Sequence, residues 1–119
     1  MKRSEIQCKC DLQYIEVDVS SYAALNMRTL ANMAIDFAPD GICVNVICPG
    51  WIQTPLVEDW FNQQKDLSEA RKYIYGQHPL GRIDTSEECG YLAAFLASDE
   101  AAFITGAVFH IDGGVTLGY

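Results

Sequence analysis

Positive charge is scarce in this sequence: 8 Lys and Arg stand against 16 Asp and Glu, a formal net charge of −8 at pH 7. That balance argues against nucleic acid and anionic membrane as partners, because both are held by positive side chains. Long apolar runs are missing too. No stretch approaches the ~18 consecutive apolar residues of a membrane span. The basic Met1-Lys2-Arg3 is not followed by the apolar core of a secretory leader. The expected compartment is therefore cytoplasmic. Cysteine is present without a metal-binding pattern: the 5 residues, at 8, 10, 43, 48 and 89, give one C-x-C pair with no second pair and no nearby histidine. No metal site is expected. Cys43 and Cys48 read as small hydrophobes in or beside a strand. His78 and His110 have no partner spacing for catalysis and are assigned no role. Glycine-rich G-x-x-x-G-x-G and G-x-G-x-x-G turns, which let a pyrophosphate approach a helix N-terminus, do not occur.

What is present reads as one domain over residues 1–119, half of it hydrophobic and a fifth charged. Residues 12–19 alternate apolar and polar at period two and predict a strand. From Tyr22 to Ala38 there is no Gly or Pro, and Ala24, Met27, Leu30, Ala31 and Ala34 recur at helical spacing. Pro39-Asp40-Gly41 ends that helix. Strands follow at 42–48 and at 103–112, the first apolar enough to be covered on both faces. Between 55 and 80 the pattern loosens into one or two short helices. There Glu58, Asp59, Asp66 and Glu69 read as a solvated face. Trp51, Trp60, Phe61 and Tyr75 read either as core or as walls of an apolar pocket. Thr85 and Glu88 have the spacing of a capping box and open a helix running to about Ser98. Strands alternating with helices place the chain in the α/β class, with a parallel sheet.

The run NVICPGWIQTPL at 45–56 carries the most chemistry. A buried strand ends at Pro49-Gly50, where Gly50 is free to take backbone angles closed to other residues. In open α/β sheets, ligands lie beyond the carboxyl ends of strands, where Thr54 would bring a hydroxyl beside backbone N–H groups. Taken alone, the run is also compatible with an ordinary strand-end turn. Three stretches together go further. GICVN at 41–45, the PG turn at 49–50, and LASDEAAFITG followed by VFHIDGG at 96–114 resemble the short-chain dehydrogenase/reductase family. Cys43 stands where that family usually has arginine. The resemblance covers roughly residues 24 to 115. It implies a partial Rossmann-like, doubly wound parallel sheet, the C-terminal half of a nucleotide-binding domain. It also implies NAD or NADP as cofactor and hydride transfer with a small alcohol or carbonyl substrate. The nicotinamide carboxamide would be held in the turn of Pro49, Gly50, Ile52 and Thr54, by the Ile52 backbone and the Thr54 hydroxyl.

The same resemblance shows what does not match. The family's catalytic Y-x-x-x-K is absent, and its usual spacing from the turn falls on Val19 and Ala23. Tyr22 is the nearest phenol, with Asn26 at the lysine position, and a neutral amide cannot lower a phenol pKa as an ammonium does. The strand at 14–20 has two alignments. In one, Asp18 and Val19 are adenine contacts; in the other, Ser21 takes the place of the catalytic serine. Asp18 favours the first. The expectation is a truncated dehydrogenase, inactive alone; the alternatives are a non-functional isoform of a full-length relative, or a non-catalytic oligomerisation and interaction module. In that role it would self-associate or dock on a full-length relative.

Overall fold

The computed structural model describes residues 23–118. The strand expected at 12–19, and with it Asp18, Val19, Ser21 and Tyr22, lies outside the described residues. The helical pattern that follows becomes α1 (Ala23–Phe37), continued by a 3₁₀ turn at Ala38–Asp40 and closed at Gly41. Leu30 and Ala34, one turn apart, are the buried line of this helix. Met27 and Ala31, expected on the same face, stay exposed. The remaining elements are β1 (Val46–Pro49), β2 (Ile52–Gln53), α2 (Pro55–Asn62), α3 (Leu67–Gly76), β3 (Asp84–Thr85), α4 (Ser86–Leu96) and β4 (Val108–Ile111). β1 and β4 pair, and β2 and β3 pair, each couple as a two-stranded sheet. Val46 N–H donates to Ala107 O and Gly50 N–H to Ile111 O, so β1 and β4 advance in the same direction. β2 and β3 are parallel as well, with Ile52 opposite Asp84 and Gln53 opposite Thr85. The parallel α/β reading holds. β1, however, is half-buried, not covered on both faces. With a single paired neighbour among the described residues, part of its surface stays open.

The chain divides into two compact units, residues 23–46 with 93–109, and residues 47–92 with 110–118. In the first, Asn45 does the joining. Its amide donates to Ile104 O at 2.8 Å and its carbonyl accepts from Ala107 N–H at 3.1 Å. Val44 N–H finds the Thr105 hydroxyl at 3.0 Å. The loop before β4 is thereby fastened to the chain entering β1, with its buried polar groups paired.

The second unit has an aromatic core. Phe61 is fully buried beside Ile74 and Ile83, with Trp51, Val57, Ala70 and Tyr75 packed around them. Side-chain caps start each helix there. Thr54 accepts from Val57 N–H ahead of Pro55, and Asp66 accepts from Glu69 N–H. The expected capping box forms in both directions: Glu88 N–H donates to Thr85 Oγ1 at 3.2 Å, and Thr85 N–H to Glu88 at 3.1 Å. The acidic residues at 58–69 are therefore more than a solvated face. Asp66 is a cap, and Glu58 is ion-paired to Arg71.

Gly50 corrects the sequence reading. It is not among the glycines with positive φ. Its constraint is space: a Cβ there would lie 2.9 Å from the Cα of Asp112, closer than real Cβ atoms come to backbone. Asp112 is buried and also holds the tail, its carboxylate accepting from Gly114 N–H and Thr116 N–H, each at 2.9 Å. The Thr116 side chain, then the Thr116 and Gly114 amides, hold its pKa at about 2.

Two outcomes follow. Gly50→Ala should lower stability by about 1–3 kcal/mol through overpacking against rigid backbone, read as a reduced urea midpoint. A loss below a few tenths of a kcal/mol would mean that the two segments separate freely. Asp112 bears on acid stability. Its folded pKa lies below the ~3.9 of an unfolded Asp, so its contribution is complete above that value. It is lost as pH falls from there through about 2. Asp112→Asn should flatten that acid limb in unfolding titrations, leaving the neutral-pH slope unchanged.

Candidate functional site

The turn is built entirely within the second unit. Pro49 closes β1, and the Gly50 N–H is taken by Ile111 O at 3.0 Å. Trp51 O accepts from Asp84 N–H at 2.9 Å, which starts the short β2–β3 ladder. Thr54 then leaves in extended backbone and caps α2. Four of the six cofactor-side residues expected from sequence, Pro49, Gly50, Ile52 and Thr54, are thus brought into one turn at the carboxyl end of a parallel strand. The other two, Asp18 and Val19, are outside the described residues, as are the catalytic candidates Ser21 and Tyr22. The Thr54 Oγ1 accepts from Val57 N–H at 3.3 Å. A hydroxyl so engaged keeps its own proton to donate.

Trp51, Phe61 and Tyr75 settle as core, while Trp60 packs on its edge and stays 38% exposed. Trp51 and Trp60 have ring centroids 5.1 Å apart, Trp60 and Phe61 5.3 Å, and Phe61 meets Tyr75 edge-on. Arg71 lays its guanidinium over Phe61, 5.1 Å from the ring centre. Such a stack, with a T-shaped neighbour, suits the positive edge and negative face of an aromatic ring. His78 is structural: it is buried, and its Nδ1 meets Ile74 O at 2.8 Å. His110 remains exposed.

A cavity of about 640 Å³ lies elsewhere in this unit, lined by Pro79, Arg82, Asp84, His110, Asp112 and Thr116 among others, and by none of the turn residues. Much of its polar wall is paired internally. Arg82 grips Glu88 with two bonds of 2.8 and 2.6 Å, which hold the Glu88 carboxyl well below its usual range. Asp84 is pushed up, first by burial and then by Glu88. The Cys89 thiol donates to Asp84 at 3.1 Å and is pushed up to about 12, by burial and then by that carboxylate. A thiol so protonated is a poor nucleophile and metal ligand. Among the described residues no group of three or more His, Cys, Asp or Glu could hold a metal ion, and no helix is long and apolar enough to cross a membrane.

Sequence reasoning missed the β2–β3 pairing, whose two-residue strands are too short for any periodicity. It also passed over Gln53 and Arg71 and read Glu58 only as part of a solvated face, although the three are linked by hydrogen bonds. Only the i to i+13 contact of Glu58 with Arg71 shows that link, and no local pattern encodes it.

The geometry has close relatives. A family model described as enoyl-(acyl carrier protein) reductase matches residues 19–116. Dehydrogenase/reductase SDR family member 6 of Aquarana catesbeiana is 41% identical over 86 residues, covering 72% of this chain and 35% of the relative. Oxidoreductase UcpA of Salmonella typhimurium is 44% identical over 92 residues, covering 72% of this chain and 34% of the relative. Among solved structures, YwfH, an NADPH-dependent reductase involved in bacilysin biosynthesis, superposes with a TM-score of 0.71 at 36% identity. That match covers 81% of this chain and 38% of YwfH. The chain spans about a third of the length of the curated relatives it matches. With the family model covering residues 19–116 and the fold superposing on solved members, the chain belongs to the short-chain dehydrogenase/reductase family.

Proposed function

We propose that this chain supplies the nicotinamide side of an NAD(P)-dependent oxidoreductase acting on a small alcohol or carbonyl. The observation that carries the reading is the turn itself. Ile52 and Thr54 stand two residues apart beyond the carboxyl end of β1, and Thr54 has a hydroxyl proton left to donate. The residues present fit one half of the cofactor. Thr54 and the Ile52 backbone suit a carboxamide, which both donates and accepts, and α2 and α3 follow directly as the cover of a substrate. The bound nicotinamide would supply hydride transfer. This chain's share is to orient that ring and to exclude water from one side. The NADPH named for the YwfH neighbour supports a nicotinamide cofactor without deciding between the two forms.

The sequence contains no Y-x-x-x-K and no glycine-rich phosphate turn. General acid–base groups contribute about 10²–10⁴-fold, so the chain by itself should show no turnover of an alcohol and ketone panel with either cofactor. Activity abolished by Tyr22→Phe would overturn that expectation.

A second reading rests on the first unit, which leaves large apolar side chains in the open. Ile35 is 70% exposed and Phe103 wholly so. Surfaces of that kind favour self-association or docking on a longer relative, and sedimentation of the pure chain would show a dimer or larger species.

The cofactor reading is tested at Thr54. Thr54→Val keeps shape but removes the hydroxyl, and should weaken NADH or NADPH binding by roughly 0.5–1.5 kcal/mol, the net value of a neutral hydrogen bond. It also removes the α2 cap, at about 1 kcal/mol of stability. Thr54→Ser restores both losses. Calorimetric titration of the three proteins decides: affinity indifferent to Thr54→Val would make the turn a structural element only.

A further inference from the structure

Between the turn and the two helices that follow it runs a short polar chain. Gln53, the residue between Ile52 and Thr54, donates from its amide to Glu58 Oε1 at 3.4 Å. The other carboxylate oxygen, Oε2, takes an Arg71 NH2 bond at 2.6 Å. Gln53 belongs to β2, Glu58 to α2 and Arg71 to α3, so three consecutive elements meet on one carboxylate. The guanidinium lies on Phe61, the fully buried centre of the aromatic core. Its Nε is buried and makes no hydrogen bond among the described residues. The Arg71 head is thus placed by the Phe61 face and the Glu58 carboxylate, without a full set of donor partners. Its side chain is 37% exposed and that of Glu58 32%, so the pair is screened in part by salt.

We propose that Arg71 is a positioning residue which clamps α3 and α2 onto the Ile52–Thr54 turn through Glu58, so that the helices' placement and the turn's grip on a nicotinamide ring are coupled. The proposal rests on the cofactor reading of that turn. Its physical content is a linkage: whatever fixes the helices lowers the ordering cost of binding at the turn, and binding at the turn fixes the helices in equal measure. Arg suits the role better than Lys, because a planar guanidinium stacks and hydrogen-bonds at once.

The molecule carries its own reporter. It has two tryptophans, one in the turn and one on α2, with ring centroids 5.1 Å apart and planes at 57°. Exciton coupling of two indoles depends steeply on separation and angle, so the circular-dichroism couplet of Trp51 and Trp60 reads helix placement. Arg71→Met keeps an apolar stem over Phe61 without charge, Arg71→Lys keeps charge on a similar stem, and Glu58→Gln neutralises the partner. In the full chain, Arg71→Met and Glu58→Gln should lose couplet amplitude while still unfolding cooperatively. Both should bind reduced nicotinamide mononucleotide more weakly, up to about fivefold, the ceiling for a part-exposed ion pair. Arg71→Lys should keep most of both signals at low salt and lose them at 1 M salt. Affinity that falls with Thr54→Val but ignores Arg71→Met would overturn the clamp and leave the turn reading intact. A couplet unchanged in Arg71→Met would overturn it as well. Wild-type chain with a full couplet and no affinity for the mononucleotide would instead overturn the turn reading, and the coupling with it.

Discussion

Much of the second unit depends on the close approach of Gly50 to Asp112. The two backbones meet where a single methyl group would not fit, and further contacts start from that meeting. The Gly50 N–H is spent on Ile111, which registers the end of β1 against the end of β4. Asp112 then folds the tail back by collecting the Gly114 and Thr116 amides. The tail in turn receives the segment after α3: Leu80 N–H donates to Gly113 O, and Gly114, at φ 91°, leaves room for Pro79. His78, one residue earlier, ends that helix by bonding back to Ile74. The turn, the tail and the end of α3 are therefore one connected unit. Its rigidity is that of close-packed backbone, which has no soft rotamer through which to relax.

Legibility in the sequence followed the range of the interaction. The Thr85–Glu88 capping box could be read because its two partners are three residues apart and each needs the other. The strand ending at Pro49 could be read because apolar β-branched residues run into a breaker. The turn residues could be read because they sit in a short contiguous pattern. Gly50 was read for the wrong reason: the sequence shows a glycine, while the need for one is imposed by Asp112, 62 positions later. Asn45 shows the same limit. Its two hydrogen bonds reach residues 59 and 62 positions away, and nothing in its neighbours announces them. The buried line of α1 is narrower than its apolar stripe, because a stripe shows what a helix could bury and the surrounding chain decides what it does bury.

The two polar clusters of the second unit show how burial sets chemistry. Around the cavity, Arg82 and Glu88 neutralise each other while Asp84 and the Cys89 thiol share a proton-rich contact. Arg82 holds the Glu88 carboxyl well below its usual range, whereas burial first, and then a neighbouring carboxylate, pushes up both Asp84 and the Cys89 thiol. Perturbed titration is often taken as a sign of a functional site, yet here each perturbation is matched by a partner that uses it structurally. The cluster at Glu58 differs in kind. It links three elements, and one buried donor of Arg71 stays without a partner among the described residues.

Thr54 brings the two themes together. Its hydroxyl oxygen accepts from Val57, which fixes the first turn of α2, and the same group has a proton with which to donate. A Ser or Thr can fill both roles at once because the oxygen accepts while the hydrogen donates; Asp or Asn, equally good helix caps, could not combine them in the same way. Asp would offer no donor and would add charge to a chain already at −8. Asn would donate from a separate atom, displaced from the capping oxygen. On the proposed cofactor reading, a hydroxyl at this position holds a ligand without uncapping α2, and this ties the turn's recognition chemistry to the stability of that helix.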